Sequence, residues 1–172
     1  MRRLFSTMQE HKEDRMREMT YDNLEEYSFK GKEMWAKVLD VYDGDTITLT
    51  VKVEDKYYKM NCRLQGIDTP ELKSEDQEEK DAAKRARQHL IEILTGQKMG
   101  LDATRKEVQV MCGNVNSILK VECGESDKYG RTLVEIWKGE EKVNEKMKND
   151  GYAGAYDGGT KKNWKTYYRV SK

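Results

Sequence analysis

The sequence predicts a mainly β, mixed α+β domain, a five-stranded OB-type barrel with helices packed against it. Three observations carry that prediction. Residues 46–53 alternate without a break, with Ile47, Leu49, Val51 and Val53 on one face and Thr46, Thr48, Thr50 and Lys52 on the other. Asp43-Gly44 before them and Glu54-Asp55-Lys56 after them are turn signals, so three successive strands form a meander. After the third strand the apolar period changes from that of a strand to that of a helix, and two more strands return beyond it.

In chain order, residues 1–32 read as a charged N-terminal extension and 33–172 as the domain, with an insertion near 97–117. The extension lacks a sustained apolar face and is expected to be loosely attached or partly disordered. Within it, a short helix is expected over 8–18, and Asp22-Asn23-Leu24-Glu25 has capping-box spacing. Trp35 to Tyr42 reads as the first strand. The third places Tyr58, Met60, Cys62 and Leu64 on one face and Lys59, Asn61, Arg63 and Gln65 on the other. From Glu78 to Leu94, Ala82, Ala83, Ala86, Leu90, Ile93 and Leu94 form one stripe, and Gly96 is placed to stop the helix. His89 borders that stripe without an evident partner and reads as a packed or half-exposed side chain rather than a catalytic one. Residues 97–117 read as a hairpin or a long loop around Cys112-Gly113-Asn114. Ile118 to Cys123 is the next strand, Gly124 to Gly130 a turn, and Thr132 to Trp137 the last long strand. Gly139 closes a hairpin, and a short helix over Val143–Asn149 stops at Gly151. The tail interleaves Tyr156, Lys161, Trp164, Lys165, Tyr167 and Arg169; it suits base stacking and phosphate contacts, or a terminal flap over the core.

Composition narrows the function classes. Charged residues make up 37% and hydrophobic ones 36%, so a small core lies under a heavily charged surface. Lys plus Arg and Asp plus Glu number 32 each, so a general electrostatic grip on nucleic acid is not implied and any such binding needs a local basic surface. Cys62, Cys112 and Cys123 are an odd count without metal-ligand spacing, which suggests reduced, buried thiols and an intracellular setting. No stretch has the apolar core of a signal peptide or the length of a membrane span, so no membrane partner is expected, and a monomer is.

The chemistry gathers at Arg63-Leu64-Gln65-Gly66-Ile67-Asp68-Thr69-Pro70-Glu71. Pro70, the one proline of the chain, fixes its own φ and pushes Thr69 toward extended backbone. The corner therefore holds Asp68 and Glu71 in a set relation, shortly after Arg63. A cation and two anions on stiff backbone suit phosphate chemistry with a metal, or a plain surface salt-bridge cluster. At the first hairpin, Asp45 shares parity with the apolar Ile47 and Leu49, and an inward carboxylate needs a cation or donors. Ser126-Asp127-Lys128-Tyr129-Gly130-Arg131 leads into the last long strand and means little alone.

In this order, Asp43-Gly44-Asp45-Thr46, Arg63 with Ile67-Asp68-Thr69-Pro70-Glu71, a helix, and Asp127-Lys128-Tyr129-Gly130-Arg131 resemble the staphylococcal nuclease (thermonuclease) family over about residues 35–164. The resemblance implies metal-binding roles for Asp45, Asp68 and the Thr69 carbonyl, with Asp43 and Thr46 beside them. It implies that Glu71 orients or deprotonates the attacking water and that Arg63 and Arg131 clamp the phosphate. Lys128 and Tyr129 then contact a terminal phosphate or base, and Tyr156 is the candidate for the tyrosine lining the nucleotide pocket. One Ca²⁺ is the implied cofactor, since an all-oxygen set with loose geometry suits that ion. The implied partners are DNA and/or RNA, single strands preferred, cleaved with little sequence preference to leave 3′-phosphates. Residues 97–117 lengthen the family's pattern, and its long final helix is shortened or missing past Tyr156. The alternative is a nucleic-acid- or protein-binding scaffold module of the same fold, which lacks the catalytic set; retention of Asp45, Arg63, Asp68, Glu71 and Arg131 favours the enzyme.

Overall fold

A computed structural model of the chain describes residues 15–24 and 26–170. The alternation of apolar and polar residues builds a meander of β1 (Glu33–Val41), β2 (Thr46–Val53) and β3 (Lys56–Leu64). Unbroken pairing runs from Thr46 opposite Arg63 to Val53 opposite Lys56. After the short strand β4 (Ile67–Asp68) come α1 (Gln77–Thr95) and α2 (Arg105–Asn114). The chain then returns through β5 (Ile118–Ser126), β6 (Thr132–Lys138) and the short β7 (Glu141–Lys142), followed by α3 (Val143–Asn149) and β8 (Gly154–Ala155). The sheet order is β3-β2-β1-β5-β6-β7, and a parallel pairing of β3 with β6 closes β1, β2, β3, β5 and β6 into the predicted barrel.

The inner faces are the apolar parities. Ile47, Leu49, Val51, Met60, Cys62, Leu64, Leu119, Val121 and Cys123 are all buried. Tyr58 departs from this pattern at 51% exposure, because the end of the β2–β3 hairpin runs past the packed core. Helix α1 closes the barrel with the expected stripe plus Ile91. Truncating a buried leucine such as Leu90 in such a stripe typically costs about 2–5 kcal/mol. Asp76 caps the helix by accepting from the Glu78 amide at 2.8 Å. Gly96 ends it in the left-handed region, φ 73°, donating to the Glu92 carbonyl.

Several expectations need correction. Residues 97–117 hold neither a hairpin nor only a loop: they contain α2, opened by a reciprocal capping box between Thr104 and Glu107. Only Val108 and Cys112 of that helix are buried, so its apolar stripe is too narrow to read from composition. The helix is pinned to β1 by polar contacts, Arg105 Nε to Asp40 Oδ2 at 2.6 Å and Lys37 Nζ to the Gly113 carbonyl at 2.7 Å. β5 runs to Ser126, past the Gly124 where a turn was expected. His89 does have partners: it lies 2.7 Å from Asp150 Oδ2 and stacks on Tyr152 at 4.1 Å.

Of the expected helix over 8–18, residues 15–17 are helical and 8–14 lie outside the described residues. The cap in this region is Thr20 with Asn23, opening a single 3₁₀ turn at Tyr21–Asn23, rather than Asp22 with Glu25, which is not described. The described residues 15–27 are all exposed, whereas Phe29 packs on the core and the Gly31 amide bonds the Cys123 carbonyl at 2.7 Å. Removing residues 1–28 should therefore leave thermal unfolding within a few degrees of the full chain. Extending the deletion through Lys32 should lower it clearly, as scanning calorimetry of both truncations will show.

Candidate active site

The site forms where three strands share one row. Thr46 of β2 stands opposite Arg63 of β3, and Cys62 stands opposite Thr132 of β6. The residues just before those strands, Asp45 and Arg131, therefore come to the end of the barrel where Arg63 projects. The Pro70 corner folds over the same end, with β4 paired to β8.

Asp43 shapes the first loop. Its Oδ1 accepts from the amides of Asp45 at 3.0 Å and Thr46 at 2.7 Å, a local turn that fixes the next carboxylate. Asp45 is buried and bonded on both oxygens. Oδ1 accepts from Arg63 Nη1 at 2.7 Å and Thr46 Oγ1 at 3.0 Å, and Oδ2 from Thr69 Oγ1 at 3.3 Å. Burial pushes the Asp45 carboxyl up to about 7, with help from the neighbouring charges of Asp43 and Asp68, and Arg63 only partly opposes this. Arg63 Nη2 reaches Asp68 Oδ1 at 2.9 Å and the Ile67 carbonyl at 3.3 Å. Three guanidinium N–H groups are thus engaged in these contacts, of the five the group carries.

Arg131 is held by its own loop. Asp127 Oδ2 accepts its Nε at 2.8 Å, and Thr46 Oγ1 accepts its Nη1 at 3.1 Å. The Thr46 hydroxyl therefore links Arg131 to Asp45. Burial opposes the charge on Asp127, but bonds from the Arg131 and Tyr129 amides and the Arg131 side chain hold its carboxyl below the usual range. Tyr129 stands out at 72% exposure, with Lys128 and Arg131 at 5.2 and 5.5 Å from its ring. The Arg63 guanidinium lies 5.5 Å from the Tyr156 ring. All the sequence-predicted site residues except Thr46 and Asp68 line one open cleft of about 860 Å³, and those two bond to residues on its wall.

The family of staphylococcal nuclease homologues matches residues 61–172. The chain belongs to that family. Among curated relatives, the chain is 33% identical over 119 residues to a thermonuclease of Staphylococcus hyicus, covering 69% of this chain and 57% of the relative. It is 31% identical over 115 residues to a thermonuclease of Staphylococcus intermedius, covering 67% of this chain and 55% of the relative. The chain thus spans little more than half the length of the curated relatives it matches.

The family's pattern calls for a divalent ion, and the donors fit one. Asp45 and Asp68 are buried carboxylates that share the Arg63 guanidinium, and burial, with the charges of Asp43 and Asp68 nearby, drives the carboxyl of Asp45 up. Among the described residues no three acidic, histidine or cysteine side chains form a ready cage. Two carboxylates and a backbone carbonyl are oxygen donors of the kind that a hard, loosely coordinated ion takes.

Two residues at this nuclease-homologue site were not singled out from the sequence. Asp127 sits inside a quoted motif, yet its role as the anchor of Arg131 shows only in the folded loop. Lys161 was one of several tail cations, and the fold brings it to Glu71 and to within 3.0 Å of Asp68 Oδ1. Among the described residues past Tyr156 no long helix forms: 156–170 carry one 3₁₀ turn, Trp164–Thr166.

Gly44 is required by the approach of the two acidic loops. A Cβ there would stand 2.8 Å from Thr69 Cγ2 and 2.9 Å from its Oγ1. Gly44→Ala should separate the loops, lower stability by about 1–3 kcal/mol as overpacking does, and loosen the Thr69–Asp45 contact. Thermal unfolding of the variant checks this, and an unchanged melting temperature counts against it.

Proposed function

We propose that this protein is a Ca²⁺-dependent nuclease that hydrolyses phosphodiester bonds of DNA and RNA with little sequence preference. What supports the reading is the convergence of Asp45, Arg63, Glu71 and Arg131 on one open cleft, with Asp68 bonded to Arg63 on its wall. Asp45, Asp68 and the Thr69 carbonyl would hold the ion, which when bound withdraws charge from the phosphodiester oxygens. Arg63 and Arg131 come from different strands, so each guanidinium donates to a different edge of one phosphate. Such planar donors strengthen as negative charge grows in the transition state. Glu71, half-exposed at the cleft wall, takes the proton of the attacking water. Displacement of the 5′-oxygen then leaves the phosphate on the 3′ side. Tyr129 and Tyr156 offer ring faces beside cations, a setting that stacks unpaired bases and so favours single strands.

Denatured DNA and RNA should release acid-soluble nucleotides in Ca²⁺, and chelation should stop it. Mg²⁺, with its stricter octahedral shell, should support the reaction poorly. Asp45→Ala should abolish metal-dependent cleavage, and Glu71→Gln should slow it by about 10²–10⁴-fold while leaving nucleic-acid binding intact. Arg63→Lys and Arg131→Lys should each cost about 10²-fold, because a point charge lacks the planar fork. Folded protein that binds single strands but cleaves neither polymer in Ca²⁺ would instead be a binding module.

A further inference from the structure

The tail supplies a charged group that none of the three motifs contains. We propose that Lys161 is a positioning residue that fixes the carboxylate of Glu71, an inference that rests on the reading of Glu71 as the group that takes the water's proton.

The Lys161 ammonium meets Glu71 Oε1 and lies 3.0 Å from Asp68 Oδ1, the same oxygen that accepts Arg63 Nη2 at 2.9 Å. Contacts thus run in alternating charge from Asp45 through Arg63, Asp68 and Lys161 to Glu71. Glu71 needs such a tether. Its side chain is 51% exposed and follows the proline corner, so by itself it samples several rotamers. A proton acceptor must be held within reach of its proton, and a wandering carboxylate fails on geometry before it fails on basicity.

Lys161 is placed well enough to act as that tether, because the tail is fastened on both sides of it. Before it, the Tyr156 hydroxyl donates to the Gly159 carbonyl at 3.1 Å and closes the loop. After it, Lys165 Nζ bonds Glu78 at 3.0 Å and the Arg169 amide bonds the Gly151 carbonyl at 3.0 Å. The ring of Tyr167 lies so close on Gly154 that a Cβ there would stand 2.5 Å from Cδ1. Partly exposed ion pairs contribute little to folding. The effect of this one is therefore read in turnover.

The test compares kcat and KM on denatured DNA in Ca²⁺ for the full chain and for Lys161→Met, Lys161→Arg, Glu71→Gln and the Lys161→Met/Glu71→Gln pair. Lys161→Met should lower kcat by about 10-fold or more with KM nearly unchanged, as loss of an interaction that matters only in the transition state does. Lys161→Arg should recover most of the loss, and Lys161→Met should add nothing in the Glu71→Gln background. A full loss in that background, an unchanged kcat, or an effect confined to KM overturns the proposal. An unmutated protein that cleaves nothing refutes the nuclease reading itself. The Lys161 contact is then decided without turnover, by amine acylation read by mass spectrometry. Lys161 should react several-fold more slowly than Lys162 and speed up in Glu71→Gln, whereas equal rates for the two lysines overturn the proposal.

Discussion

One guanidinium between two buried carboxylates governs the end of the barrel where the site lies. Arg63 is 8% exposed, Asp45 3% and Asp68 4%, so three charges sit largely out of water. Burying an ion costs several kcal/mol even after relaxation, and a missing partner in such a cluster typically costs about 3–5 kcal/mol. Lys161 reaches Asp68 from the tail; at Asp45, burial and the nearby Asp43 and Asp68 outweigh Arg63 and push the carboxyl up. The fold tolerates this because hydroxyls and amides supplement the guanidinium. Thr46 and Thr69 donate to Asp45, and the Asp43 turn holds the backbone that carries it. On the nuclease reading, a divalent cation between Asp45 and Asp68 would add to these donors.

The barrel's closure makes this cluster possible. In a sequential meander Asp45 and Arg63 meet through ordinary hairpin register. Arg131 joins them only because β3 and β6 pair in parallel, which sets Arg63 opposite Leu133 and Cys62 opposite Thr132. Asn144 stabilises that closure from outside the ladder. Its side-chain amide donates to the carbonyls of Gln65 and Val134 at 2.9 and 3.0 Å, and its oxygen accepts from the Ile136 amide at 3.1 Å. A buried asparagine with all three bonds made ties the turn after β3 to β6 at the level of Arg63. Packing and chemistry therefore share backbone: the elements that complete the core also set the separation of the charged groups.

What could be read from the sequence was what short segments decide for themselves. β2 was legible because one face is buried along its length, and α1 because its stripe is wide and its stop is a glycine in the left-handed region. The acidic loops were legible because the parity of Asp45 contradicts its polarity. Helix α2 was missed because only Val108 and Cys112 anchor it, although Thr104 with Glu107 was a local signal of its start. The pairs joining distant segments were invisible for a different reason. Asp40 meets Arg105 across 65 positions, His89 meets Asp150 across 61, and Glu71 meets Lys161 across 90. No spacing rule predicts such pairs, since closure of the fold sets them.

The same charge arrangement bears on how a substrate enters. The chain has no net charge, so no long-range field draws a polyanion in. Around the cleft, Arg63 is tied to Asp45 and Asp68, Arg131 to Asp127, and Lys161 to Asp68 and Glu71. On the nuclease reading, a phosphate therefore meets cations whose charge is already partly spoken for, beside carboxylates that repel it. Positive charge added at Asp45 and Asp68 would shift that balance, releasing part of the Arg63 guanidinium's attraction toward the phosphate. On that reading, the acids that repel a phosphate are also the groups through which a bound cation would draw it in.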